Sequence, residues 1–239
     1  MNIAIIFAGG TGQRMNTRTK PKQFLELHGK PILIYTLEHF QTNSYIDGII
    51  VVMLEKWIDY CKEIVDRYKL TKVKAIVPGG NTGQESIYNG LFKASELYPE
   101  DSIVLIHDGV RPLIDAETIY KDVECVKKYG TAITVAPAIE TIALKGENGN
   151  VGDILNREQC QMAKAPQCFI LKNILDAHQK SQKENLLNFI DSVSLMQHYG
   201  YKLHTVEGPS ENIKITTPSD FYIFRAIVDA RENSQIFGF

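Results

Sequence analysis

The chain opens with the apolar run Asn2-Ile3-Ala4-Ile5-Ile6-Phe7, which leads into Ala8-Gly9-Gly10-Thr11-Gly12-Gln13-Arg14-Met15, and Pro21-Lys22-Gln23-Phe24 follows. A buried strand that ends in a loop of bare backbone presents main-chain N–H groups, which can approach phosphates closely. Arg14 and Lys22 add fixed positive charge shortly after the last glycine. The stretch therefore predicts a site after the first strand where phosphates are bound and also handled chemically.

Short runs rich in valine and isoleucine alternate with helical patterns through the first half of the chain. Nearly continuous apolar runs are typical of parallel strands covered by helices on both faces. Strands are predicted at residues 3–7, 49–53, 74–77, 103–107 and 131–136, and helices at 31–42, 56–68, 84–97 and 116–129. This alternation predicts an α/β fold, a doubly wound and mostly parallel sheet, with ligands at the carboxyl ends of the strands.

The alternation stops after the fifth predicted strand. Residues 140–144 and 151–155 flank Lys145-Gly146-Glu147-Asn148-Gly149-Asn150, a spacing that predicts a β-hairpin with an Asn/Gly turn. Helices are predicted again at 171–183, 191–199 and 218–231, and a last strand at 202–206. We expect residues 1–239 to form a single domain from which the hairpin, residues 139–158, projects as an arm.

Composition excludes several classes of protein. A net charge of −2 argues against a basic nucleic-acid surface. No stretch is apolar and long enough to predict a membrane span, and no basic segment precedes the first apolar run as in a secretory signal. The four cysteines are scattered and form no CxxC pair, which predicts reduced thiols and a cytoplasmic protein without a zinc site.

The glycine loop also excludes two common nucleotide-binding motifs. The G-x-G-x-x-G fingerprint needs glycine at position 15, which is Met15, and the Walker pattern needs lysine after its last glycine, where Gln13 follows Gly12. An enzyme that transfers hydride from a dinucleotide and a P-loop kinase are therefore disfavoured. The simplest remaining alternative is a tight turn between strand and helix with ordinary surface cations.

Further motifs follow the glycine loop in a fixed order, and with it they resemble the signature of the cytidylyltransferases that act on polyol phosphates. These motifs are Pro78-Gly79-Gly80 with Ser86, His107-Asp108-Gly109-Val110-Arg111-Pro112, Asn156-Arg157, Ala165-Pro166-Gln167 and Asn212-Ile213-Lys214-Ile215-Thr216. The resemblance covers nearly the whole chain. It implies a Rossmann-like nucleotidyltransferase fold, CTP and a polyol phosphate as substrates, and Mg²⁺ as the cofactor.

The resemblance also implies roles for individual residues. Arg14, Lys22 and Lys214 are the expected catalytic cations, because α-phosphoryl transfer between two polyanions needs positive charge around the crowded phosphates. The expected CTP pocket, formed largely by backbone, comprises Ala8, Gly9, Gly10, Thr11, Gly12, Gly80 and Ser86.

The expected acceptor site combines two regions. Asp108 ends the fourth predicted strand and suits a metal or hydroxyl contact, and Arg111 suits the acceptor's phosphate. A purely structural Asp–Arg ion pair is the less favoured alternative. The resemblance implies that the arm enters the partner subunit of a homodimer, where Thr141 and Arg157 hold the acceptor's phosphate. Asp191 is expected to begin a helix as its cap rather than to orient the site.

Two motifs bear on the identity of the acceptor. Methylerythritol-phosphate enzymes usually carry Ala-Ala-Gly in the first loop and His-Asp-Ala-Ala-Arg-Pro in the later motif, whereas this chain has Ala8-Gly9-Gly10 and His107-Asp108-Gly109-Val110-Arg111-Pro112. Gly83 stands where an arginine is common, which weakens the expectation that its loop contacts phosphate. Ala165 stands where a threonine that commonly helps with the acceptor is found. The two motifs and Ala165 favour D-ribitol 5-phosphate, giving CDP-ribitol for a wall or capsule polymer. Methylerythritol 4-phosphate, another alditol phosphate, and a nucleotide-binding regulator without catalysis remain the alternatives.

Overall fold

The structure is a computed structural model that describes residues 1–10 and 20–237, with side chains described through residue 234. Its strands are β1 (Asn2–Ala8), β2 (Glu26–Leu27), β3 (Lys30–Pro31), β4 (Gly48–Met53), β5 (Val73–Pro78), β6 (Ile103–Asp108), β7 (Thr131–Pro137), β8 (Ala143–Lys145), β9 (Val151–Ile154), β10 (Gln161–Ile170) and β11 (Thr205–Glu207). Its α-helices are α1 (Ile32–Thr42), α2 (Ile58–Arg67), α3 (Gly83–Leu97), α4 (Ala116–Tyr129), α5 (Leu171–Lys183), α6 (Ser192–His198) and α7 (Pro218–Phe237).

Seven strands form one central sheet in the order β11-β7-β10-β6-β1-β4-β5. All neighbouring pairs are parallel except those of β10, which runs antiparallel to both β6 and β7. Strands β4 and β6 are buried along their whole length, as expected for strands covered on both faces. The predicted doubly wound, mostly parallel α/β fold is confirmed.

Helix α3 packs closely against the sheet, and a capping residue marks where the helix begins. A Cβ atom at Gly90 would lie 2.6 Å from Cγ2 of Ile5 on β1 and 2.7 Å from Cγ2 of Val52 on β4, so only glycine fits without displacing the core. The Thr82 side chain caps the helix by accepting a hydrogen bond from the Glu85 N–H at 3.1 Å. The first turn of α3 therefore sits directly after the loop that ends β5.

Strand β10 was not predicted from the sequence, and it lies in the middle of the sheet. Pro166 interrupts its pattern, and proline within an apolar run normally argues against a central strand. Here the proline falls where pairing with β7 shifts register, between Ala163 and Gln167. A register irregularity is one of the few places in a sheet that tolerates the missing N–H.

The same irregularity opens the sheet. Pairing of β10 with β6 runs from Ile170–Ile103 only as far as Gln167–Ile106, whereas pairing with β7 resumes at Ala163 and continues to the start of β10. Beyond Ile106 the strands β6 and β10 therefore separate at the carboxyl edge of the parallel strands. A cleft opens at this edge between the end of β6 and the first half of β10.

The predicted hairpin arm is confirmed, since β8 and β9 pair antiparallel as a separate two-stranded sheet. Asn148 and Gly149 both have positive φ in its turn, as the Asn/Gly composition predicts. Large apolar side chains on the arm are exposed in the single chain, including Ile139 at 69%, Val151 at 70% and Ile154 at 66%. Among the described residues, no helix is long and apolar enough to cross a membrane.

Candidate active site

Two glycine loops meet at the carboxyl ends of β1 and β5. The amide of Gly80 donates a hydrogen bond to Oγ of Ser86 at 3.0 Å, and that hydroxyl donates to the carbonyl oxygen of Thr82 at 2.9 Å. A Cβ atom on Gly9 would lie 3.8 Å from Oγ of Ser86, and a Cβ atom on Gly79 would lie 3.0 Å from it. The structure therefore brings together the two loops and the serine that were predicted to form the CTP pocket.

Lys22 lies beside the first of these loops. It is 9% exposed, and its ammonium donates to the carbonyl oxygen of Ile215 at 2.9 Å. A Cβ at Gly10 would lie 4.0 Å from its Cε, while the neighbouring Gln23 amide anchors the end of β1 by donating to the Ala8 carbonyl at 2.6 Å. The predicted residues Thr11, Gly12 and Arg14 lie outside the described residues.

Asp108 is the charged centre of the site. It is 4% exposed, and its carboxylate pairs with the ammonium of Lys214 at 2.6 Å and with Nε of Arg111 at 3.1 Å. Burial by itself raises the pKa of Asp108, but Arg111 and Lys214 outweigh it and hold that pKa below its ordinary value of 3.8. Asp108 is therefore ionised, with two cations around one carboxylate.

The neighbouring His107 is packed inside the protein beside the turn that follows β6. Its side chain is fully buried, and Nε2 lies 3.0 Å from the carbonyl oxygen of Arg111, to which the ring N–H donates. Burial is the main cause that lowers the pKa of His107 to about 3, so the ring is neutral near pH 7. It braces the turn that carries Arg111.

A cavity of about 330 Å³ fills the cleft between β6 and β10. Its charged lining residues are Asp108, Arg111, Lys164, Asp191 and Lys214. Lys164 was missed by the sequence reasoning, because it lies on the unpredicted strand β10. Its ammonium lies 2.9 Å from the carbonyl oxygen of Ser210 and 3.3 Å from that of Asn212. Burial, and then the nearby Arg111, lower the pKa of Lys164.

Gln84 holds a loop over the cavity, a role that the sequence did not reveal. Its amide group donates to Oγ of Ser181 at 2.7 Å and to the carbonyl oxygen of Leu186 at 3.0 Å, while its oxygen accepts from the N–H of Phe189 at 3.0 Å. Phe189 and the next residues line the cavity. Gln84 follows Gly83, the position where an arginine was expected.

Asp191 closes this loop as a helix cap, which confirms the preferred interpretation of its role. Its carboxylate accepts from the N–H of Ser194 at 2.9 Å in a capping box at the start of α6. It also accepts from the amide of Gln167 at 3.3 Å.

The two predicted arm residues do not reach the cavity of their own chain. Thr141 and Arg157 are exposed, and the Arg157 guanidinium donates to the carbonyl oxygen of Ile139 at 2.9 Å, within the base of the arm. Neither residue lines the cavity around Asp108. Within one chain, the structure therefore separates them from the other predicted site residues.

Comparison with known proteins identifies the family to which this site belongs. Residues 2–230 match the family of 2-C-methyl-D-erythritol 4-phosphate cytidylyltransferase (IspD). The chain belongs to this family. It is 52% identical to a ribitol-5-phosphate cytidylyltransferase of Vibrio parahaemolyticus over the full length of both proteins. It is 41% identical to a 2-C-methyl-D-erythritol 4-phosphate cytidylyltransferase of Clostridium botulinum, over 95% of this chain and 97% of the relative.

The solved structures agree with this assignment. The 4-diphosphocytidyl-2C-methyl-D-erythritol synthase of Anaerococcus prevotii superposes with a TM-score of 0.81 at 28% identity, covering 95% of this chain and 96% of the other. The chain is thus an enzyme, a nucleotidyltransferase of the cytidylyltransferase family.

The arrangement suits the chemistry of a cytidylyltransferase. The reaction needs no covalent intermediate on the protein, so the site must position two polyanions and balance their charge. Lys22 contacts the carbonyl oxygen of Ile215 and Lys214 pairs with Asp108, so the segment 214–215 connects the glycine-loop side of the site with the Asp108 cavity. One cation therefore lies on each side of this segment, and the charge needed around two phosphates is available there.

The ion pairs of Asp108 make a prediction about stability and pH. The folded pKa lies below the unfolded value of 3.8, so the stabilisation is fully present above that value and is lost as the pH falls through the folded pKa. We expect Asp108→Asn to lower the free energy of unfolding at neutral pH, and this deficit relative to the wild type to shrink below about pH 4. Urea unfolding of both proteins across this range measures it.

A matched control is Asp59→Asn, which removes a carboxylate that is 94% exposed and whose ion pair contributes little. Its unfolding free energy should follow the wild type at every pH. A deficit for Asp108→Asn that stayed constant down to the lowest pH would contradict the ionic role of Asp108.

Proposed function

We propose that the enzyme transfers CMP from CTP to D-ribitol 5-phosphate. An oxygen of the acceptor's phosphate attacks the α-phosphorus of CTP, the bond from that phosphorus to the β-phosphate oxygen breaks, and pyrophosphate leaves as CDP-ribitol forms. The observation that carries this choice of acceptor is the 52% identity, over the full length of both chains, with a relative named ribitol-5-phosphate cytidylyltransferase. The relative named for methylerythritol phosphate is more distant, at 41%.

The contacts at the site support a division of labour across the sheet. We assign cytidine to the loops of Gly9 and Gly80 with Ser86, where backbone donors and acceptors can distinguish cytosine from uracil. Lys22 and Lys214, together with Arg14, neutralise the reacting phosphates and the departing pyrophosphate.

We assign the acceptor to the cavity on the other side of Lys214. Asp108 and Arg111 line it with fixed opposite charges, which suits hydroxyl groups and a phosphate respectively.

Mg²⁺ is the cofactor that we propose for this reaction. It prefers a few carboxylate oxygens together with substrate phosphates. Asp108 fits such a role. Its Oδ1 is paired with Lys214, whose side chain is 43% exposed and has room to turn toward phosphates. When Lys214 turns in this way, that oxygen becomes available to the ion. When bound, the ion would neutralise phosphate charge and polarise the α-phosphate.

We further propose a homodimer in which each arm completes the partner's acceptor site. Arg157 and Thr141 are exposed on an arm that also exposes large apolar side chains. Such surfaces mark interaction sites on otherwise polar proteins. A cationic arm residue entering the cleft from a second copy would add the charge that the acceptor's phosphate requires. We place the reaction in the cytoplasm, with CDP-ribitol serving a wall or capsule polymer.

The acceptor is tested by a direct comparison of substrates. Purified enzyme with CTP and Mg²⁺ is expected to release pyrophosphate rapidly with D-ribitol 5-phosphate and at least about tenfold more slowly with methylerythritol 4-phosphate. Release of pyrophosphate and formation of the CDP-alditol are both measured. Turnover with methylerythritol phosphate alone would overturn the proposed acceptor, and CTP binding without turnover on any alditol phosphate would indicate a regulator.

Lys22 tests the mechanism of phosphoryl transfer. Lys22→Met is expected to lower kcat by about 100-fold or more, because it removes a cation that acts on the reacting phosphates. Lys20→Met is the matched control, since Lys20 is an exposed neighbour whose ammonium lies over the Tyr60 ring. The control should stay within about twofold of the wild type. If the kcat of Lys22→Met also stayed within about twofold of the wild type, the proposed mechanism would be disproved.

The shared site is tested by mixing inactive subunits. Lys22→Met damages a chain's own site, whereas Arg157→Ala would damage the partner's, so a heterodimer of the two variants contains one intact site. Coexpression should restore about a quarter of wild-type activity, although each variant alone is nearly inactive. Lys22→Met with Lys214→Met is the control, because both residues act in the same chain's site. Equal activity for the two mixtures would refute the shared site.

A further inference from the structure

Lys164 is a cation inside the cavity that the proposed mechanism does not use. It is half-buried on β10, and its hydrogen-bond partners among residues 1–10 and 20–234 are two neutral carbonyl oxygens, those of Ser210 and Asn212. Within the described part of the chain, no carboxylate pairs with it. Arg111 approaches the same Asn212 carbonyl through Nη1 at 2.7 Å, so two cations converge on one oxygen.

These two cations retain hydrogen-bond donors for a ligand. An ammonium has three donors, and the two carbonyls engage two of those on Lys164. Among the described residues, Arg111 uses Nε for Asp108 and Nη1 for Asn212, which leaves Nη2 and the second hydrogen on Nη1. Both side chains line the same cavity, so the remaining donors belong to a surface that a polar ligand can reach. Half-buried donors of this kind favour a ligand that is rich in oxygen.

The position of Lys164 in the sheet indicates which part of the ligand it meets. The glycine loops lie at the ends of β1 and β5, whereas Lys164 lies on β10, two strands beyond β1 in the order of the sheet. In the proposed mechanism Lys22 and Lys214 bind the reacting phosphates, and their contacts lie on the glycine-loop side and the cavity side of the segment 214–215. An acceptor whose phosphate faces the nucleotide must therefore extend its polyol chain toward β10.

We infer that Lys164 is a specificity-determining residue that hydrogen-bonds the hydroxyl groups at the far end of the acceptor's polyol chain. The inference rests on the proposed function and deepens it. Lys164 thus marks the end of the acceptor site that lies away from the nucleotide, so the cavity measures the length of the alditol. A chain one carbon shorter, with its phosphate fixed beside Lys214, would not reach the ammonium.

The test compares two acceptors that differ by one CHOH unit, D-ribitol 5-phosphate and erythritol 4-phosphate. Lys164→Met is expected to raise the KM for ribitol 5-phosphate by about tenfold or more, since a hydrogen bond to a charged group is lost. The KM for CTP and the kcat should change by less than about threefold. The KM for erythritol 4-phosphate, or its inhibition constant if it acts as a competitive inhibitor, should also change by less than about threefold.

Two further variants make the result specific. Lys164→Arg keeps a cation with several donors and should restore much of the preference for the longer acceptor. Lys172→Met is the matched control, because it removes an exposed lysine on α5 that pairs with Glu100 at 3.3 Å. This control should leave the constants for both acceptors unchanged.

Three results would overturn the inference. An equal loss for both acceptors would mean that Lys164 binds the shared phosphate, and no change for either would mean that it does not contact the acceptor. A fall in kcat together with a raised KM for CTP would mean that it only holds the segment bearing Lys214. If the wild type does not turn over ribitol 5-phosphate, the proposed function is wrong. The role of Lys164 is then tested with the alditol phosphate that the enzyme does use and with its homologue that is one carbon shorter.

Discussion

The site depends on keeping one buried carboxylate ionised. A charge buried as deeply as that of Asp108 requires partners, and they come from opposite directions: Arg111 from the turn after β6, and Lys214 from a segment more than a hundred residues further along the chain. That second pairing draws the late segment across the end of the sheet, where the Ile215 carbonyl receives Lys22. A single electrostatic requirement thus joins the glycine-loop side of the site to the cavity side.

A second constraint shapes the space beside this carboxylate. A fully paired sheet would leave no room between β6 and β10, but their pairing stops at Ile106 and Gln167, and β10 continues with β7 alone. The register shift around Pro166 is therefore the backbone feature that creates the cavity. It also aims the first half of β10, with Lys164, along the wall of the cleft. The same register shift therefore determines both the space of the cavity and the side chains that line this wall.

The sequence predicts the parallel strands, the arm and the Asp191 cap because each depends on local signals, namely apolar runs, an Asn/Gly turn and a capping residue. It does not predict β10, since proline is a local signal against a strand and only the neighbouring strands stabilise one there. The contribution of Lys164 depends on that strand, on which it lies. The contribution of Gln84 depends on contacts with residues about a hundred positions away along the chain. Motif resemblance locates the glycine loops and Asp108, but it does not reveal the side chains that line the far wall.

The glycine loops and the cavity wall on β10 lie in differently packed parts of the fold, and this difference has a consequence for how such enzymes diverge. The glycine loops that we assign to the nucleotide follow β1 and β5, and helix α3, which begins beside them, packs tightly through Gly90 against β1 and β4. The far wall lies on β10, an antiparallel strand that is exposed along its first half. Mutation can therefore alter the outer wall while the inner loops stay intact. Descendants of one ancestor would then keep a common donor and acquire new acceptors by changes along a single strand.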